Sequence, residues 1–144
     1  PLAQLGLGRL HQGEAARIWT SLPQPASGPA PAADLRRLFE EAALRAPLET
    51  AWPRYLVLLD RCEALWEQAS SSYRQVLALP DDPEHPLTVP PAVLQAEALE
   101  ALGTISMVRG NLEEGRGFLQ RALALNPGNA RLKAFLSGPA PASP

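Results

Sequence analysis

Apolar residues recur at helical spacing along several stretches of the chain, and clusters of proline separate them. In residues 34–46, Leu35, Leu38, Phe39, Ala42 and Ala43 fall at i, i+3, i+4, i+7 and i+8, the spacing that gathers side chains on one face of a helix. Asp34 stands where an N-cap would, and Pro47 stops the pattern. From Thr50 to Leu79 only Pro53 interrupts, in a first turn where a missing N–H is tolerated. There Trp52, Leu56, Leu59, Leu65, Trp66, Ala69, Tyr73, Val76 and Leu77 form a stripe that fits one long helix or two short ones, with Ser70, Ser71 and Ser72 as its weakest point. No stretch shows sustained strict alternation with β-branched residues, so no strand is predicted.

Residues 96–129 carry the clearest pattern. A first helix ends at Gly110, which can take the left-handed conformation that terminates a helix. Asn111 then caps a second helix, with Glu114 as the partner of a capping box and Glu113 and Glu114 near its positive end. The result is an antiparallel hairpin with Leu99, Leu102 and Gly103 facing Leu112, Gly115, Leu119, Ala122 and Leu123. Gly103, Gly115 and Ala122 let the two backbones approach closely, and Pro127 closes the unit.

The breaks are compositional. PQPASGPAPAA at 23–33 offers few backbone donors and no apolar face, and reads as an exposed linker. PDDPEHPLTVPP at 80–91 is a proline-rich acidic loop, and residues 138–144 are expected to be a flexible tail. The 144 residues suit one domain, residues 1–137. A net charge of −2 gives no electrostatic footprint for nucleic acid. There is no run of 18 apolar residues for a membrane span and no basic-then-apolar leader, which leaves a cytoplasmic location as the expectation. The chain starts at Pro1 with the helical pattern under way, which reads as a piece of something longer.

Residues 96–129 resemble the tetratricopeptide repeat, a 34-residue helix-turn-helix with the pattern Trp-x2-Leu-Gly-x2-Tyr, Ala-x3-Phe, Pro. Leu102, Gly103 and Pro127 match outright; Leu99, Ser106, Gly115 and Leu119 replace Trp, Tyr, Ala and Phe, and only Ser106 underfills its place. Two degenerate units precede it. In the first, Leu5, Gly6 and Gly13 reproduce the spacing of Leu102, Gly103 and Gly110, with a turn at Gly13. In the second, residues 50–79, Val57 takes the glycine position and Ala64 the turn. The helix at 34–46 is left as an extra element. The resemblance implies an all-α fold of antiparallel helix pairs stacked as a short α-solenoid of about seven or eight helices.

Catalytic chemistry has little to stand on. His11 and His85 have no ligand or acid at helical spacing, and Cys62 has no histidine near it in sequence; a buried thiol and two surface imidazoles account for them. Adjacent pairs such as Glu40 with Glu41 point about 100° apart on a helix and cannot share a proton. Asp81, Asp82, Glu84 and His85 lack the glycine and oxygen spacing of a calcium loop, so neither a metal nor any other cofactor is expected.

What remains is surface. Carried over from the family residue by residue, the groove positions fall on Arg54, Tyr55, Leu58 and Arg61 in the middle unit and on Glu97, Glu100, Thr104 and Met107 in the last. Arg54 and Arg61 would alternatively just neutralise Glu97 and Glu100 across neighbouring helices. The carboxylate clamp of chaperone-binding members is disfavoured, because Leu7, Tyr55, Glu100 and Thr104 occupy its positions. The resemblance thus implies a non-catalytic scaffold that binds a peptide segment or a partner domain. A sensor or regulatory module of a larger bacterial regulator and a helical domain of an enzyme complex stay open beside it.

Overall fold

A computed structural model describes residues 2–25, 28, 30–46, 51–78 and 91–137. Most of the expected loop at 80–91, the expected tail at 138–144, His85 and the stop at Pro47 lie outside the described residues. The described residues are all-helical, in six helices: α1 (Leu2–Ser21), α2 (Ala32–Arg45), α3 (Ala51–Leu77), α4 (Pro91–Arg109), α5 (Leu112–Leu125) and α6 (Ala130–Ser137). The expected count of seven or eight is reduced because the turns predicted at Gly13 and Ala64 do not form. Helix α1 runs straight through Gly13, where a side chain would meet open space, and α3 runs through Ala64 and the three serines without a break. A glycine in a helix interior costs about 1 kcal/mol against alanine, too little to stop a helix that tertiary contacts hold.

Those contacts come from pairing α1 with α3, two helices that are not neighbours in sequence. They run antiparallel: Tyr73 meets Gly8 and hydrogen-bonds through its hydroxyl to Gln12 Oε1 at 2.7 Å, while further along α1 the Cys62 thiol donates to the Ala15 carbonyl at 3.3 Å. Trp19 and Trp66 pack at 5.4 Å between ring centroids. Helix α2 lies against the first half of α3 through Phe39 on Tyr55 and Trp52, with Arg36 bonded to Asp60 at 2.6 Å and Glu63 at 2.8 Å. It starts at Ala32 rather than after Asp34, so Asp34 sits in the first turn, favourable to the helix dipole but not a cap. The segment before it is not a free linker throughout: Leu22 and Ala32 are buried, and Pro31 packs beside Gly110.

Helix α4 joins the second half of α3, where Arg109 pairs with Glu67 and Leu77 packs near Leu99. The hairpin of α4 with α5 matches the sequence expectation closely. Gly110 has a φ of +99° and ends α4 in a Schellman turn, its N–H bonded to Met107 O at 3.1 Å and that of Asn111 to Ser106 O at 2.8 Å. The expected capping box is absent: Asn111, at φ −87° and ψ +71°, makes no side-chain cap hydrogen bond, and its N–H, which Glu114 would have to reach, is already given to Ser106 O. Leu112, expected inside, is exposed. A main core of α1 to α5 holds Leu5, Leu35, Phe39, Leu59, Trp66, Tyr73 and Leu102, and a smaller cluster gathers Leu99, Leu119, Ala122 and Leu132.

Candidate functional site

The eight candidate residues fall into three places. On α3, Tyr55 packs on Phe39, 5.5 Å away between centroids, and Leu58 packs against the main core, and both are half-buried. Arg54 and Arg61 are exposed on the same helix, on either side of Val57, which is 67% exposed. Neither arginine has an ion-pair partner among the described residues. They do not neutralise the glutamates of α4. Glu97 instead accepts from Arg9 Nε of α1 at 2.6 Å, a bond that holds the Arg9 guanidinium above its ordinary pKa, and Glu100 pairs with Arg131 of α6. The reason is registry: α3 meets α4 through its second half, at Glu67 and Leu77, which leaves residues 54–61 beside α2.

Glu97 thus reaches α1, and it also lines a small cavity of about 130 Å³ with Glu100, Ala122 and Asn129. The other three α4 candidates, Glu100, Thr104 and Met107, do converge. They line an open cavity of about 350 Å³ together with Leu119 of α5 and Leu132 and Phe135 of α6. The spacing explains it, since Glu100, Thr104 and Met107 stand at i, i+4 and i+7 on α4 and share one face. The floor is apolar. Phe135 stands 52% exposed at its edge, and Glu100 closes one end by accepting from Arg131 and, at 3.4 Å, from Asn129 Nδ2.

The α6 wall was not anticipated. Its signal was present: Asn129 precedes ARLKAFL, with Leu132, Phe135 and Leu136 at i, i+3 and i+4, and the Asn129 side chain accepts from the Leu132 N–H at 3.1 Å as an N-cap. Pro127, which closes the unit in the sequence reading, hides it.

A second cavity, about 520 Å³, lies between the segment after α1 and the face of α2, with Pro23, Pro25, Leu38, Phe39 and Trp52 on its walls. It contains none of the eight candidates. Cys62 is fully buried, and burial pushes its thiol pKa up to about 11, with Glu63 adding to the shift, so the thiol stays protonated near neutral pH. His11 Nδ1 is buried with no hydrogen-bond partner. No group of three or more His, Cys, Asp or Glu placed to hold a metal occurs among the described residues, and no described helix is long and apolar enough to cross a membrane. No family model, curated protein or solved structure matches the chain.

Proposed function

We propose that the chain is a non-catalytic interaction scaffold that binds a peptide segment or a partner domain in the groove between α4 and α6. One observation carries the reading: Glu100, Thr104 and Met107, positions picked by likeness to the ligand-facing helix of a tetratricopeptide unit, line an open apolar cavity with an exposed phenylalanine at its edge. A cavity of about 350 Å³ is at the lower end of small-molecule sites and suits one bulky apolar side chain anchored from a partner. Thr104 and Phe135 are exposed, so they can be changed without disturbing the core.

The test is selection of displayed peptides on the full chain, followed by comparison of variants whose helicity is unchanged by circular dichroism. Thr104→Arg with Phe135→Ser is expected to abolish binding of the selected peptides, and Arg54→Glu with Arg61→Glu to leave it intact. The opposite pattern would move the site to the exposed arginine and valine strip on α3.

A further inference from the structure

Helix α6 forms one wall of the cavity yet shares little with the rest of the fold. It is eight residues long, below the length at which a helix holds itself together in water. Leu132 is its one buried residue, seated in the smaller cluster on Leu99, Leu119 and Ala122; no α6 residue belongs to the main core. The polar ties are few. Arg131, 83% exposed, pairs with Glu100, and an exposed pair of this kind stabilises little. Arg116 of α5 donates from Nη2 to the Leu136 carbonyl at 2.7 Å, satisfying one acceptor that the helix end leaves open.

The joint before α6 is exposed from Ala124 to Gly128, and a side chain at 128 would meet only Asn126 Oδ1, at 3.7 Å. The α4–α5 hairpin closes without it, through the close approach of Gly103 and Gly115, where a side chain would meet Leu119, Met107 and the facing backbone and no residue of α6. The helix therefore has an exposed joint, its own cap at Asn129, and one buried anchor, Leu132, with the half-buried Leu136 beside it.

We propose that α6 is a latch: it detaches and reseats as a unit, opening the groove, while α1 to α5 stay folded. The closed state has Glu100 engaged by Arg131 and Asn129; the open state frees that carboxylate and uncovers the seat of Leu132. The inference concerns the fold alone and holds whether or not a partner binds the groove.

Native-state hydrogen exchange on the full chain tests it. The amides of Lys133 to Leu136 are expected to exchange roughly 100-fold or more faster than those of Leu102 to Ser106, as a local opening requires. Leu132→Ala should raise α6 exchange further and leave the urea midpoint of the rest unchanged, whereas Leu102→Ala lowers that midpoint. Equal exchange in α6 and α4 would overturn the proposal. So would a Leu132→Ala variant whose α4 amides and global midpoint fall as they do in Leu102→Ala.

Discussion

Tyr73 fills the space that a side chain at Gly8 would need. A Cβ at position 8 would lie 2.8 Å from both Cε1 and Cζ of the ring, and the ring is 1% exposed, locked by its bond to Gln12. Gly8→Ala therefore must push a large, fixed ring, and is expected to destabilise the chain by about 1–3 kcal/mol, read as a lower urea midpoint. Gly13→Ala, on the same helix with open space around it, is expected to stabilise the chain by up to about 1 kcal/mol through helix propensity, read as a higher midpoint.

The contact of α4 with α5 gives a sharper contrast. At Gly103 a Cβ would lie 2.7 Å from Leu119 Cδ2 and 2.9 Å from the Gly115 carbonyl oxygen, and at Gly115 it would lie 2.9 Å from the Gly103 carbonyl oxygen. A side-chain tip can turn aside; a helix backbone cannot. Gly103→Leu is expected to lose about 1–3 kcal/mol, and Gly103→Ala to be destabilising as well, despite alanine's better propensity. Thermal melts of the two variants check the order.

Burial pushes the Tyr73 hydroxyl up to about 12, with Glu97 adding to the shift and Arg9 opposing it. The folded state thus holds this proton more tightly than the unfolded chain, where tyrosine titrates near 10. The stabilisation is complete below about pH 10 and is lost as pH rises from about 10 to about 12. Tyr73→Phe should flatten this alkaline loss in a series of urea melts, while lowering stability at pH 7 through the lost bond to Gln12.

Cys62 is closed to solvent, and its thiol stays protonated near neutral pH. Alkylation at pH 8 is expected to be slow in the native chain and to reach the rate of a free cysteine only in denaturant. The measurement is the labelled fraction against time by mass spectrometry.

The helical hairpin was legible in the sequence because its signals are local: Gly110 ends α4 within a few residues of where Gly103 and Gly115 meet. The stripe on α3 was legible too, with Leu59, Leu65, Trp66, Ala69, Tyr73 and Val76 all buried. What the sequence did not disclose depends on distant pairing. Gly13 is as compatible with a turn as with a helix, and only the contact of α1 with the length of α3 decides. The cavity between α4 and α6 was half legible for the same reason. Helical spacing put Glu100, Thr104 and Met107 on one face, but which arginine reaches Glu97 or Glu100 depends on how far α3 slides past α4, and no spacing within one helix records that.

The pairing of α1 with α3 across the intervening α2 also has a consequence for how the chain acquires order. Gly103 and Gly115 meet across a short loop of twelve residues, whereas Cys62 with Ala15 and Tyr73 with Gln12 close separations of 47 and 61. The longer closure costs about 1.4 kcal/mol more chain entropy than the shorter, by the logarithmic dependence on loop length. The α4–α5 hairpin is therefore expected to form before the α1–α3 pair. Helix α1 is made before its partner α3, so the faces of Leu5 and Trp19 that α3 covers in the fold wait through the synthesis of some fifty further residues. In that interval, rather than in the finished fold, the apolar face of α1 stands open to water.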